Sequence, residues 1–110
     1  MSLERIFKAL MVLGLSESEV EVYFQIATKG PIFARNIINS LPINERVIYG
    51  ILRNLQMKGI ILAIGNKPKE YSAIPFEEVL SMLIEQKEEH AREIKERREE
   101  LVHNWEEHDN

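Results

Sequence analysis

Two arginines, Arg46 and Arg53, have the side chains that most clearly indicate a chemical role in this sequence. In the stretch 44–59, a helical period of about 3.6 residues places four apolar side chains on one face: Ile48, Ile51, Leu52 and Leu55. The opposite face contains Arg46, Gly50, Arg53 and Met57, flanked by Tyr49 and Asn54. A glycine inside a helix costs about 1 kcal/mol relative to alanine, so Gly50 indicates that something large approaches the helix backbone closely. Because arginine pairs well with guanine edges, the pattern predicts a helix that enters the major groove of DNA.

Side chains suited to catalysis or metal binding are scarce. The sequence contains no cysteine, which excludes a thiolate zinc site, a disulfide and a cysteine nucleophile. The three histidines, His90, His103 and His108, all lie in the charged C-terminal segment. The five glycines are spread singly, so the sequence has no glycine-rich phosphate-binding loop. We therefore expect no enzyme activity, no metal site and no cofactor.

The charge of the chain is divided unevenly between its two parts. The 110 residues carry a net charge of −4, which is unusual for a protein that binds nucleic acid. Residues 1–75 contain nine Lys and Arg against six Glu, a net +3, whereas residues 76–110 contain five Lys and Arg against twelve Asp and Glu, a net −7. This asymmetry predicts a DNA-binding domain over 1–75 and a separate element over 76–110. An acidic segment that only keeps the protein soluble is the alternative.

No part of the sequence predicts contact with a membrane. The longest apolar runs fall well short of the roughly 20 residues that a spanning helix needs. The chain does not open on a signal-peptide pattern. We therefore expect a cytoplasmic protein.

Two helices are predicted before residue 31. Ser2 can cap the first, whose buried stripe would be Leu3, Ile6, Phe7 and Leu10, and Gly14 would end it in a left-handed conformation. Ser16 and Glu19 have the spacing of a capping box for the second helix. This helix would end at Gly30 and bury Val20, Tyr23, Phe24 and Ala27.

A helix-turn-helix unit is predicted next. A short helix spans Ala34–Leu41, although Phe33 offers no capping oxygen at its start. Pro42 disfavours helical geometry at Leu41, and Asn44 is a suitable N-cap for the helix that carries the two arginines. A tight turn between two helices, the second with a basic outer face, is typical of this DNA-binding motif.

A β-hairpin follows the basic helix. The apolar run at 60–64 and the segment at 71–74 are separated by Gly-Asn-Lys-Pro-Lys, which is turn chemistry. We call residues 65–69 the wing, because a hairpin at this position would reach the nucleic acid beside the helix. Lys67 and Lys69 would then contact the adjacent backbone or minor groove, and the alternative is that both are ordinary solvated loop residues.

The C-terminal segment predicts a long helix that pairs with a second copy. From residue 76 to about 107 there is no proline or glycine, which favours one continuous helix. Apolar side chains recur in it at alternating steps of four and three, which predicts a coiled-coil seam. The predicted dimerisation residues are Leu80, Ile84, Ala91, Ile94, Leu101 and Trp105. Lys87 and Arg98 interrupt the seam and should weaken it.

Three stretches resemble the winged-helix domain of the TrmB family of transcription regulators, found mostly in archaea. They are LGLSESEVEVYFQIATKGP at 13–31, RVIYGILRNLQMKGII at 46–61 and GNKPKEYSAIPFEEVL at 65–80. The resemblance covers about residues 3–85 and implies a mostly α fold with a small β-wing, followed here by a C-terminal coiled-coil helix. Many members continue into a sugar-sensing domain, whereas this chain resembles the shorter class, which gives no ground for a sugar ligand.

The sequence departs from the family pattern at three positions. Members usually have Ser or Thr where Phe33 stands, and a basic residue is common at the position of Val47, whereas here the charge lies at Arg46. Gly50 often corresponds to a longer polar residue. Because the last two departures lie on the reading helix, base preferences cannot be transferred from relatives.

Together these features predict a homodimeric transcription regulator that binds a palindromic operator in double-stranded DNA. The predicted DNA-binding residues are Arg35, Asn44, Arg46, Tyr49, Gly50, Arg53, Asn54, Lys58, Lys67 and Lys69. Arg46 and Arg53 would contact base edges. The alternative is a protein-interaction adaptor in a transcription or replication assembly, because the net acidity and the long helix also suit a protein partner. The sequence indicates no small-molecule effector and does not distinguish a repressor from an activator.

Overall fold

Six helices and three strands make up the part of the chain that the computed structural model describes, residues 2–109. In chain order they are α1 (Leu3–Val12), α2 (Glu17–Lys29), β1 (Ile32–Phe33), α3 (Ala34–Ser40), α4 (Glu45–Met57), β2 (Ile61–Ile64), β3 (Glu70–Ala73), α5 (Phe76–Glu96) and α6 (Arg98–Asp109). The hydrophobic core lies between α2, α3, α4, the sheet and the first turns of α5. Within the described chain, no helix is both long and apolar enough to cross a membrane.

The junction between α1 and α2 follows the local sequence signals. Gly14 has φ +110° and donates its N–H to Met11 O at 3.0 Å, so the predicted left-handed end of the first helix is confirmed. The capping box is also confirmed, because Ser16 N–H donates to Glu19 Oε1 at 2.9 Å and Glu19 N–H donates to Ser16 Oγ at 3.1 Å. Both signals act within a few residues and fix where α2 begins.

The predicted buried stripe of α1 is partly wrong. Ser2 makes no side-chain cap, and Leu3 and Ile6 remain 46% and 42% exposed. Only the second half of the helix packs on α2, where Leu10 is buried and Phe7 makes an edge-on ring contact with Phe24 at 5.4 Å. The first turn of α1 therefore presents apolar side chains to solvent.

Helix α2 is buried on more sides than the predicted stripe. It packs against α1, α4 and β3 at once. Val22 and Ile26 are therefore buried together with the predicted Val20 and Tyr23, whereas Ala27, expected in the stripe, is exposed. A single amphipathic face was the wrong model for a helix at the centre of the fold.

The hairpin belongs to a three-stranded antiparallel sheet of order β1-β3-β2. The two long strands pair from Ile61 opposite Ala73 to Ile64 opposite Glu70, which confirms the predicted hairpin to within a residue. The third strand, β1, has only two residues and pairs Ile32 with Tyr71. It was not predicted, because two residues carry no alternation pattern. Its effect is to attach the start of α3 to the hairpin.

The C-terminal segment is not one continuous helix. Helix α5 ends at Glu96 and α6 begins at Arg98, and the Arg97 N–H is shared between Glu93 O at 3.2 Å and Ile94 O at 3.1 Å. The prediction of a single helix over 76–107 is wrong at this point, where neither proline nor glycine marks the break. The first turns of α5 instead belong to the core, since Val79 and Leu83 are buried there.

Candidate nucleic-acid interface

Helix α4 buries its predicted stripe and exposes the opposite face. Ile48, Ile51, Leu52 and Leu55 are all in the core, as the helical period predicted. Arg46, Tyr49, Arg53, Asn54 and Met57 are exposed. A Cβ added at Gly50 would meet nothing within 4 Å, so no contact within the protein requires glycine there. The outer face is therefore open along the whole helix.

The start of α4 is fixed by Asn44. Its side-chain Oδ1 accepts the N–H of Arg46 at 2.8 Å, which confirms the predicted N-cap. The cap satisfies one of the free N–H groups at the helix start and holds the backbone of Arg46 in place. Arg46 thus extends from the first turn of a capped helix.

A cleft of about 600 Å³ lies between α3, α4 and the hairpin. Its lining residues are Phe33, Ala34, Arg35, Tyr49, Leu52, Arg53, Gln56, Asn66, Lys67, Pro68, Lys69 and Tyr71. Four of the twelve are cations, and among these residues, all within the described chain, none is acidic. Such a charge distribution attracts phosphate. Five predicted DNA-binding residues, from three separate stretches of sequence, meet in this cleft.

Arg35 is held at the edge of the cleft by an aromatic ring. Its guanidinium carbon lies 5.5 Å from the centre of the Phe33 ring, a distance at which the cation is attracted to the ring face. Phe33 makes no side-chain cap at the start of α3, as its lack of an oxygen predicted. Its ring supports the arginine that follows two residues later.

Two tyrosines stand on the wall of the same cleft. Burial, together with the nearby Tyr49 hydroxyl, raises the pKa of Tyr71 above its ordinary value of 10.0. Tyr71 is therefore uncharged at neutral pH and its hydroxyl can donate a hydrogen bond. An uncharged donor among four cations suits an anionic partner.

Not all predicted DNA-binding residues line the cleft. Arg46, Gly50 and Asn54 lie outside it on the outer face of α4. Lys58 lies at the C-terminal end of the helix, where its Nζ is 3.8 Å from Glu19 Oε2. This ion pair joins the end of α4 to the first turn of α2. The two residues are 39 positions apart, and no sequence pattern predicted their contact.

The structure adds Gln56 and Asn66 to the cleft, and neither was predicted. Gln56 could have been found from the sequence, because Tyr49, Leu52, Arg53 and Gln56 have the spacing i, i+3, i+4, i+7 of one helical strip. Asn66 lies in the turn of the hairpin, where turn chemistry alone explains an asparagine. Only the fold shows that it faces α3 and α4.

The C-terminal helices expose much of the predicted seam. Leu80 is half-buried, while Ile84, Ile94, Leu101 and Trp105 are 42%, 61%, 46% and 69% exposed. Ala91, Ile94 and Leu101 line one largely apolar groove of about 680 Å³ that runs across the break at Arg97. Three of the six predicted dimerisation residues therefore share a face in spite of the break.

The histidines form no multidentate site. His103 Nε2 lies 2.9 Å from Glu107 Oε1, one helical turn away. Within residues 2–109, no group of three or more His, Asp or Glu side chains is placed to hold a metal ion. The acidic side chains of α5 and α6 instead make isolated pairs on exposed surfaces, such as Arg98 with Glu99 at 2.8 Å.

Solved structures of other proteins share the fold, among them the two described here. An ArsR-like transcriptional regulator from Rhodococcus sp. RHA1 has a TM-score of 0.53 at 13% identity, covering 92% of this chain and 90% of that chain. A MarR-family transcriptional regulator from the same organism has a TM-score of 0.56 at 16% identity, covering 93% of this chain and 77% of that chain. No curated protein sequence matches the chain significantly. The fold, with a basic helix beside a basic hairpin, is a winged helix-turn-helix.

The family follows from the sequence itself. The family model described as "Sugar-specific transcriptional regulator TrmB" matches residues 10–77, which is more than half of the chain. The chain therefore belongs to the TrmB family of transcription regulators, and the resemblance inferred from the motifs is confirmed. It is a DNA-binding transcription regulator and not an enzyme.

Proposed function

We propose that the protein binds a specific palindromic operator as a homodimer. Helix α4 of each subunit enters a major groove, and the wing, residues 65–69, lies on the adjacent backbone or in the minor groove. Two-fold symmetry then requires half-sites whose centres are about 34 Å apart, or a multiple of that distance. The DNA-contacting set is the predicted one with a single change, because Lys58 is engaged by Glu19 and we assign it to bracing α4.

The observation that carries this proposal is the cleft between α4 and the hairpin. It collects Arg35, Arg53, Lys67 and Lys69 from three elements, with no carboxylate among its lining residues. The whole chain is acidic, so a local concentration of positive charge is not a by-product of composition. A dimer would present eight such cations, which suits a partner with regularly spaced phosphates.

The exposed apolar side chains of α5 and α6 support the homodimer. Ile94 and Trp105 remain mostly exposed, and Leu101 is nearly half exposed, on a segment that is otherwise densely charged. Ile94 and Leu101 share a groove, and exposed apolar side chains that lie together favour burial against another surface. The same helices from a second copy are the simplest partner, because a two-fold axis pairs each patch with itself. The acidic segments would then lie away from the DNA phosphates.

Selection of DNA fragments by the purified protein tests the function. Random-sequence DNA is selected with the full chain, and the recovered sites are titrated at about 50 and 200 mM salt. We expect a palindromic consensus and a loss of affinity of about 10³- to 10⁵-fold between the two salt concentrations, as for proteins with 6–10 phosphate contacts. A control titration uses the variant Arg5→Ala, which removes one positive charge from α1, outside both the cleft and the groove of the C-terminal helices. Recovery of no consensus, with a salt-independent affinity, would contradict the proposal and favour a protein-binding adaptor.

A further inference from the structure

The exposed surface of α4 divides into two strips. The first contains Tyr49, Arg53 and Gln56 and forms one wall of the cleft. The second contains Arg46, Gly50, Asn54 and Met57, none of which lines the cleft. The sequence pattern placed Arg46 and Arg53 together at the centre of one face. The structure separates them, because only Arg53 faces the hairpin.

The geometry of DNA gives the two strips different surroundings. In B-form DNA, a major groove about 12 Å wide and the neighbouring minor groove are separated by one sugar-phosphate strand. If α4 lies in the major groove and the wing reaches past its edge, that strand must pass between them. The space between them is the cleft, so its lining residues meet phosphates and sugars. The second strip faces the floor of the groove, where the base edges lie.

We propose that Arg53 binds the DNA backbone and that Arg46 and Asn54 discriminate the bases. This inference rests on the proposed function and assigns different roles to residues of the same site. Arg53 would share one strand with Arg35 and the two wing lysines, and Gln56 would add an uncharged donor. The earlier expectation that both arginines contact bases is thereby replaced by one reading arginine and one positioning arginine.

The chemistry of each strip fits its role. The cleft combines four cations with the hydroxyls of Tyr49 and Tyr71, and all of these groups can donate to phosphate oxygens, contacts that carry little sequence information. In the second strip, Arg46 can pair with guanine and Asn54 with adenine. Gly50 lies between them without a side chain and with open space above it. Base edges can therefore approach the helix backbone at this position more closely than beside any other residue of the strip.

Two variants and two DNA duplexes test the assignment. Arg53→Ala and Arg46→Ala are each titrated against the selected operator and against unrelated DNA of equal length, over a range of salt concentrations. We expect Arg53→Ala to lower the affinity for both duplexes by the same factor. The slope of log affinity against log salt concentration should fall in magnitude by about 1. We expect Arg46→Ala to lower only the affinity for the operator, by about 5- to 150-fold, and to relax the base preference at one position of the site.

Controls separate charge from position. Arg53→Lys keeps the charge and should retain most of the affinity for both duplexes. Arg5→Ala removes an exposed arginine from α1, outside both the cleft and the groove of the C-terminal helices, and should leave both affinities unchanged. All of these side chains are exposed, and thermal melting of each variant verifies that it folds.

The outcomes distinguish the inference from the function on which it rests. If Arg53→Ala lowers the ratio of operator to unrelated affinity while the salt slope stays the same, Arg53 reads bases and the inference is wrong. If Arg46→Ala lowers the affinity for both duplexes equally, Arg46 binds the DNA backbone and the inference is also wrong. If the wild-type protein binds neither duplex, the proposed function itself fails and the inference fails with it.

Discussion

Replacing Ile94 with alanine should weaken the proposed dimer by a measurable amount. Full burial of an isoleucine side chain stabilises by about 1.5–3 kcal/mol. Ile94 is 61% exposed in the single subunit, so burial against a partner can add about 1–2 kcal/mol. Two-fold symmetry doubles this contribution to about 2–4 kcal/mol. The dimer dissociation constant should therefore rise by about 30- to 1,000-fold.

Sedimentation equilibrium over a range of protein concentrations measures this constant directly. Val12→Ala is the matched control, because Val12 is a 72% exposed apolar residue on α1 outside the predicted seam. Its replacement should leave the dimer unchanged. An Ile94→Ala protein that dimerises like the wild type would refute the assignment of the interface to α5 and α6. A larger effect from Val12→Ala would place the interface on α1 instead.

Three further substitutions test how the fold supports the site. In Gly30→Ala the new Cβ would lie 2.5 Å from Ile26 O. Urea denaturation should therefore show that the free energy of unfolding falls by about 1–3 kcal/mol. An unchanged denaturation midpoint would contradict the close approach. Lys58→Gln should change operator affinity by less than about twofold while lowering the unfolding free energy by about 0.2–1 kcal/mol; a larger loss of affinity would return Lys58 to the DNA interface. Tyr23→Phe removes a buried hydroxyl that has no hydrogen-bond partner among residues 2–109 and should stabilise the protein by about 1 kcal/mol. Burial raises the pKa of Tyr23 above 10.0, so the unfolded chain ionises first and wild-type stability falls as pH rises through 10. The Phe variant should show a shallower fall in alkaline melting curves, and an equally steep fall would contradict this origin.

The parts of the fold that were predictable depend on interactions between residues close in sequence. The capping box of Ser16 and Glu19, the left-handed Gly14 and the apolar stripe of α4 all act within one or two helical turns. Such signals can be recognised from residue types and their spacing alone. They place the elements of the fold in order and identify which face of α4 is exposed.

The features that were missed depend on distant parts of the chain. The strand β1 exists only because β3 lies beside it, and the Lys58–Glu19 pair forms only once α2 and α4 have packed. Leu3 and Ile6 have the periodicity of buried residues, but the elements packed against α1 leave both more than 40% exposed. The break at Arg97 has no proline or glycine to mark it in the sequence.

Five of the residues predicted from the sequence line the cleft, but the division of α4 into two strips was not predicted. Periodicity shows that Arg46 and Arg53 share the exposed half of α4. It cannot show which side of that half the hairpin occupies, because this depends on the path of the chain from residue 58 to 70. The separation into a cleft wall and an outer strip therefore required the fold.

The uneven charge of the chain implies opposite responses of the two proposed associations to ionic strength. Pairing the C-terminal helices brings together two segments that each carry a net −7, so their mutual repulsion opposes the dimer most in dilute salt. DNA binding, by contrast, weakens as salt is added, because the released counterions lose their entropic advantage. Dilute salt then favours single subunits on DNA, and concentrated salt favours dimers free in solution. Cooperative occupation of an operator should therefore pass through a maximum at an intermediate salt concentration.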